Sequence, residues 1–126
     1  MSSEGYHEPI EELNDEVRDF HRAVVSLMEE LEAVDWYNQR VAACKDKELA
    51  GILAHNRDEE KEHAAMTLEW LRRRDPVLDQ QLRRYLFTNA PVPEVEAAAE
   101  AEGEDGGAGG TAGTLGIGSL RENARR

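Results

Sequence analysis

The sequence predicts an all-α protein, in which an antiparallel two-helix hairpin is followed by a short third helix. Between residues 10 and 41, apolar side chains recur at alternating steps of three and four, which is the spacing of a helical packing seam. Residues 56–70 contain neither Gly nor Pro and are rich in strong helix formers. Turn signals at residues 45–47 and at Asp75-Pro76 separate the predicted helices.

The first helix is expected to begin at Pro9, after a flexible arm over residues 1–8, and to end near Cys44. Proline suits the first turn of a helix because its missing N–H has no partner there in any case. A second apolar set lies beside the seam, so the helix needs more than one packing partner. The seam consists of Ile10, Leu13, Val17, Phe20, Val24, Leu27, Leu31, Val34 and Val41.

Two aspartates are predicted to cap the later helices. Asp46 precedes a second helix over residues 47–74, and Asp75 precedes a third that starts at Pro76 and ends before Pro91. A short connection near residue 45 places the first two helices antiparallel. We therefore predict a helical domain over residues 9–90.

The composition changes after residue 90. Residues 91–113 are acidic and then Gly-rich, and they bury too little apolar surface to offset the entropy of ordering, which predicts a disordered linker. The following residues, 114–126, place Leu115, Ile117 and Leu120 in an otherwise polar tail. This spacing suits an extended peptide that docks in shallow pockets of a partner, although a frayed terminus would look similar.

Charge and cysteine content restrict the possible partners. The net charge of −12 argues against binding to nucleic acid or to an anionic membrane. The single cysteine, Cys44, excludes an internal disulfide and a thiolate-rich zinc site. No apolar run approaches the roughly 20 residues of a membrane-spanning helix, and the acidic N-terminus does not resemble a secretory signal. We therefore expect a cytoplasmic protein.

The predicted second helix carries a possible metal-binding motif. Its apolar stripe includes Ile52 before the motif and Met66 after it, but polar residues occupy the turns between them. Buried acidic groups are costly unless a positive charge compensates them. Glu60 and His63 stand three residues apart on one helix face, and Glu-x-x-His is a motif of di-metal carboxylate proteins.

The predicted hairpin places a third candidate ligand near Glu60. With the turn centred at residue 45, Glu30 of the first helix is expected to lie level with Glu60. One Glu plus one Glu-x-x-His is half of the ligand set of a ferritin-like di-metal site, and two helices are half of a four-helix bundle. A two-fold dimer would complete both.

The ligand types favour iron(II) or manganese(II), with zinc also possible. Paired iron(II) ions can supply two electrons to dioxygen or to peroxide, so ferrous oxidation is the leading chemistry. Two alternatives stay open: a non-catalytic helical assembly module, whose acidic seam only sets the pairing of chains, and a di-metal peroxidase or manganese protein.

Neighbouring residues have functional and structural interpretations. Glu29 and Glu32 form either an acidic patch that attracts cations or an ordinary solvated face. Trp36 suits a packing role, whereas Tyr37, one heptad from Glu30, is placed to hydrogen-bond a metal ligand.

At these residues the chain resembles the encapsulated ferritins. The resemblance covers about residues 7–93 and is carried by three runs, which are HRAVVSLMEELEAVDWYNQR (21–40), HNRDEEKEHAAMTLEWLRRR (55–74) and RYLFT (84–88). In addition, TLGIGSLR (114–121) looks like the cargo-loading peptide by which such proteins dock inside encapsulin shells.

The resemblance implies a ferroxidase that oxidises iron(II) at a di-iron centre formed when two chains pair as a ferritin-like four-helix bundle. It implies that the pairs form an annular decamer, an open ring, and that the encapsulin shell provides the storage volume. The implied location is the lumen of an encapsulin nanocompartment in the prokaryotic cytoplasm. The implied iron ligands, contributed by both chains, are Glu30, Glu60 and His63.

The same resemblance assigns roles to the neighbouring residues. It implies a secondary metal site or iron entrance at Glu29 and Glu32, where Ca²⁺ or another divalent cation is a candidate ligand. It also places Trp36 and Tyr37 beside the di-iron centre.

Overall fold

The computed structural model describes residues 5–109, and over that range the protein contains helices and no strands. The predicted all-α class, with a two-helix hairpin followed by a short helix, is confirmed. The chain divides into two units, Met1–Arg74 and Asp75–Arg126. We describe each unit separately.

Helix α1 spans Asp15–Ala43 and begins six residues later than expected. Pro9 instead starts a short 3-10 helix, Ile10–Glu12, in which the Glu12 N–H donates to the Pro9 carbonyl at 2.9 Å. The side chain of Asn14 accepts a hydrogen bond from the Val17 N–H at 2.8 Å and so caps α1. Because proline suits the start of either helix type, the cap decides where the α-helix begins.

The N-terminal arm packs on α1 over the part that the structure describes. The Tyr6 and His21 rings lie 4.0 Å apart between centroids, at 31° to one another. A Cβ atom on Gly5 would lie 2.4 Å from His21 Cε1, so any other residue here would require the His21 ring to shift. Residues 1–4 lie outside the described residues, and the expected flexibility of the arm stays a prediction.

Helix α2 spans Lys47–Arg74 and is capped by Asp46, whose carboxylate accepts from the Leu49 N–H at 2.8 Å. This cap was predicted from sequence and is confirmed. Asn38 of α1 accepts a hydrogen bond from Arg57 of α2 at 3.1 Å, and further from the turn Glu30 contacts Thr67. The α2 residue that is contacted has a higher number where the α1 residue has a lower one, so the two helices are antiparallel.

The last turn of α2 carries three arginines. The guanidinium groups of Arg72 and Arg73 both donate to the Glu69 carboxylate, at 2.7 to 2.8 Å. These hydrogen bonds lower the pKa of Glu69 to about 2 from an ordinary value of 4.5. Cations near the C-terminus also suit the helix dipole.

A single chain buries very little apolar surface. Within the described residues, the buried hydrophobic side chains are Ala64 and Leu71, at 7% and 3% exposure. Large apolar residues of α1 and α2 that remain exposed are Val17, Phe20, Met28, Leu31, Trp36, Leu49, Ile52 and Met66. Clusters of exposed apolar side chains often mark a surface that a partner covers.

In the second unit, helix α3 spans Pro76–Tyr85. The Asp75 carboxylate accepts hydrogen bonds from the N–H groups of Val77 and Leu78, at 3.1 and 3.0 Å, so the predicted cap is confirmed. The helix stops before Phe87, which has a positive φ of 64°.

Helix α4 spans Val92–Gly109, where we expected a disordered linker. The N–H groups of Glu94 and Val95 donate to the Pro91 carbonyl and start the helix. The expectation was based on the small apolar surface of this segment, but its alanines and glutamates have high intrinsic helix propensity. The remainder of the predicted linker and the predicted docking tail lie outside the described residues.

The described helices do not include one that is both long and apolar enough to cross a bilayer.

Candidate metal centre

The motif on α2 forms a close pair. The His63 Nδ1 atom lies 3.5 Å from the Glu60 Oε1 atom, and the two side chains are 42% and 27% exposed. A helix places residues three apart on one face, which accounts for the pairing. Ile52 and Met66, both exposed, lie on either side of the pair along the helix. The pair therefore interrupts an exposed apolar stripe.

Glu30 joins this site from α1 through a threonine. The Thr67 hydroxyl lies 3.1 Å from Glu30 Oε1 and 3.1 Å from the carbonyl oxygen of His63, one turn earlier on α2. Sequence reasoning missed Thr67. The available signal was its position four residues after His63, which places it on the same helix face.

The Glu30 carboxylate contacts Thr67, which lies seven residues, or about two helical turns, after Glu60 on α2. The connection is indeed centred near residue 45, as assumed, but side chains lean toward the N-terminus of their own helix. Side chains of α1 therefore lean away from the turn, and those of α2 lean toward it. As a result, the tip of Glu30 meets an α2 residue further along the chain.

One chain does not complete a metal site within the described residues. No group of three or more His, Cys, Asp or Glu side chains lies close enough together there to hold a metal ion. The structure brings Glu60 and His63 together and connects Glu30 to the same region of α2 through Thr67. Any metal centre built on these residues needs ligands from elsewhere.

The other predicted residues on α1 lie at the surface. Glu29 and Glu32 are both exposed. Trp36 is 49% exposed and lines a shallow depression of about 360 Å³ with Gln39 and Arg40.

The guanidinium carbon of Arg40 lies 5.2 Å from the centre of the Tyr37 ring. The expected contact of Tyr37 with a metal ligand stays a prediction. The predicted docking residues Leu115, Ile117 and Leu120 lie outside the described residues.

Comparison with known proteins identifies relatives along nearly the whole chain. The "Encapsulated ferritin-like protein" of Rhodospirillum rubrum is 60% identical over 130 residues, which cover 98% of this chain and 93% of that protein. The "Ferritin-like protein" of Thermotoga maritima is 56% identical over 115 residues, or 91% of this chain and 96% of that protein.

A solved structure and a family model agree with these relatives. The crystal structure of a protein from Nitrosomonas europaea is similar, with a TM-score of 0.69 and 73% sequence identity, over 70% of this chain and 97% of that one. The EncFtn-like family model matches residues 5–89, which contain all of α1, α2 and α3. The chain therefore belongs to the EncFtn-like family, and the resemblance to the encapsulated ferritins is confirmed.

Proposed function

We propose that this protein is a ferroxidase, which oxidises iron(II) to iron(III) at a di-iron centre formed between two copies of the chain. The observation that carries the proposal is the Glu60–His63 pair, which is part-exposed within an exposed apolar stripe of α2 and connected to Glu30 through Thr67. Membership of the EncFtn-like family supports it.

The chemistry of the side chains fits iron as the substrate. Two carboxylates and one imidazole from each chain form a mixed oxygen and nitrogen ligand set, which suits iron(II). Two such half-sites supply four carboxylates, whose negative charge offsets the repulsion between two cations. Exposure of part of each side chain leaves ligand atoms free to face a second chain.

The proposed reaction balances in electrons and protons. Two ferrous ions give up one electron each, and dioxygen takes up both electrons and two protons to give hydrogen peroxide. With peroxide as the oxidant, the same two electrons and two further protons give two molecules of water. The ratio of oxygen consumed to iron oxidised distinguishes these reactions.

A second copy is the proposed source of the missing ligands. Leu49 and Ile52 on one side of the pair, and Met66 on the other, are exposed large apolar side chains. Covering them with the same stripe of a two-fold related chain buries the apolar surface and brings two Glu60–His63 pairs face to face. The same contact would create a four-helix bundle from two hairpins.

The wider setting is proposed from the relatives and from the tail. The Rhodospirillum rubrum relative is named as encapsulated, and the tail of this chain resembles a cargo-loading peptide. We therefore propose that the protein assembles as an annular decamer and is held in the lumen of an encapsulin shell through Leu115, Ile117 and Leu120. Glu29 and Glu32 are proposed as a secondary divalent-cation site, and Trp36 and Tyr37 as residues beside the centre.

Alanine substitutions test the ferroxidase proposal. Glu60→Ala and His63→Ala each remove a proposed metal ligand. Loss of an outer hydrogen-bond partner of a ligand costs about 10–100-fold in activity, so each substitution is expected to lower the initial rate of iron(II) oxidation by more than that. The measurement is oxygen uptake and formation of the iron(III) absorption band after anaerobic iron(II) is mixed with aerated buffer.

The chain offers a matched control pair one turn earlier on α2. His55 and Glu59 are also an imidazole and a carboxylate, 3.7 Å apart, and are 70% and 49% exposed. His55→Ala and Glu59→Ala should retain the wild-type rate. Wild-type rates in Glu60→Ala and His63→Ala would refute the proposal, and assembly without any iron oxidation would favour the non-catalytic module.

A further inference from the structure

The Thr67 hydroxyl lies between two acceptors of different kinds. It is 3.1 Å from a carboxylate oxygen of Glu30 on the facing helix and 3.1 Å from the His63 carbonyl oxygen on its own helix. Both Thr67 and Glu30 are partly buried. The hydroxyl carries one proton, so it donates to one acceptor at a time.

A bond to the carbonyl four residues earlier is the ordinary habit of a helical threonine. The His63 carbonyl oxygen has two lone pairs, so it could accept the hydroxyl as well as the Thr67 N–H of the α-helix. The Glu30 carboxylate is nevertheless the stronger acceptor, because hydrogen bonds to ionised groups are shorter and stronger than neutral ones. The chemistry therefore favours donation to Glu30.

We propose that Thr67 is a positioning residue, which fixes the Glu30 carboxylate relative to His63 for iron binding. The inference rests on the proposed function, because it concerns the same metal centre. A free glutamate side chain loses considerable rotamer entropy when a metal ion orders it. With Oε1 held by Thr67 before metal arrives, part of that loss has already occurred, and Oε2 is left for the metal ion.

Thr67 can be replaced by a residue of nearly the same shape. Thr67 borders an open groove of about 400 Å³ between α1 and α2, beside Met66 and Trp70. Valine keeps the branched shape of threonine but lacks the hydroxyl, and the groove leaves room for its second methyl group. Serine keeps the hydroxyl but lacks the methyl group. The two variants therefore separate hydrogen bonding from packing.

The experiment measures metal affinity and iron oxidation on the full-length assembled protein. Cobalt(II) serves as the probe, titrated by calorimetry, because it binds ligand sets similar to those of iron(II) and does not react with dioxygen on this timescale. We expect Thr67→Val to weaken cobalt(II) binding about 10–100-fold and to slow iron(II) oxidation, which is the usual cost of losing an outer hydrogen-bond partner. Thr67→Ser should retain both properties.

Thr88→Val is the matched control, because the Thr88 hydroxyl donates only to the main-chain carbonyl of Tyr85, at 2.8 Å. It should bind cobalt(II) as the wild type does. Circular dichroism and the mass of the assembly establish that each variant folds and assembles.

Each result decides the inference. Wild-type affinity in Thr67→Val would overturn it and leave the proposed function intact, provided that Glu60→Ala still abolishes oxidation. Equal losses in Thr67→Val and Thr67→Ser would overturn it in favour of a packing role. A wild-type protein that binds no cobalt(II) and oxidises no iron(II) would overturn the proposed function and this inference together.

Discussion

At the scale of single residues, the pairing of Glu60 with His63 on one helix was predictable, and the contact of Glu30 with Thr67 between helices was not. Helical spacing alone puts Glu60 and His63 on one face, and their side chains do lie 3.5 Å apart. The position opposite Glu30 depends on how far the side chains lean along each helix, which residue counting ignores. The only sequence signal for Thr67 is its position four residues after His63, which does not reveal the contact with the Glu30 carboxylate.

Gly51 offers a test at this scale, because it lies inside α2 and a Cβ atom added to it would meet nothing within 4 Å. We expect Gly51→Ala to raise the free energy of unfolding by about 0.5–1 kcal/mol, since alanine restricts the unfolded chain and favours the helix. Urea denaturation at fixed protein concentration measures the change.

The same substitution at Gly5 is the matched control and should have the opposite sign. Its added methyl group would meet the His21 ring and displace the Tyr6 contact. A loss of stability in Gly51→Ala would show that another chain approaches this position closely and would contradict the prediction.

At the scale of elements, the side-chain caps of the helices were predictable from sequence. Composition was a poor predictor of whether residues 91–109 form a helix. Asp46 and Asp75 cap α2 and α3 as expected, because an aspartate before a helical run satisfies the free N–H groups of the first turn. The start of α1 was misplaced because Pro9 suits a 3-10 helix equally well. Helix α4 forms where the small apolar surface predicts a disordered linker, because its alanines and glutamates have high helix propensity.

The exposed stripe on α2 makes a prediction about pairing. Ile52 is 52% exposed, and in a two-fold pair both copies would be buried. Full burial of an isoleucine is worth about 1.5–3 kcal/mol, and pairing would bury the exposed half of each of two copies, so Ile52→Glu should weaken pairing by roughly 10- to 100-fold. A dilution series followed by mass photometry or sedimentation velocity measures this loss.

Val92, at the start of α4, is 61% exposed and provides a comparable apolar surface position. Val92→Glu should leave the mass distribution unchanged. An Ile52→Glu protein that keeps the wild-type assembly at every dilution would show that the stripe is not the pairing surface.

At the scale of the whole molecule, fold class and family were predictable from sequence, whereas the assembled state lies beyond a single chain. The seam and the Glu-x-x-His motif both indicated a half-bundle, and the all-α fold and the family are confirmed. The completed centre and the ring stay predictions, because they depend on surfaces of other copies. The docking tail stays a prediction because it lies outside the described residues.

Separate roles for the helices and the tail can be tested in the full-length chain. Changing Leu115, Ile117 and Leu120 together to serine should abolish capture of the protein by co-expressed encapsulin shells, since docking peptides bind through such apolar side chains. The rate of iron(II) oxidation should not change. Co-purification with intact shells and oxygen uptake measure the two properties.

Glu122→Ser is the control, because it introduces serine into the same tail without removing an apolar side chain. It should leave capture intact. Loss of oxidation in the triple variant would indicate that the tail takes part in the enzymatic centre.

The scarcity of buried apolar residues in one chain has a consequence for the stability of an unpaired subunit. With Ala64 and Leu71 as the buried hydrophobic residues of the described part, a newly synthesised subunit has little to hold it folded until it meets another. If subunits pair as proposed, stability is expected to rise with subunit concentration, and unpaired subunits are expected to be more susceptible to proteases. Under the proposed function, the contact between subunits that stabilises the fold would be the same contact that completes the iron centre.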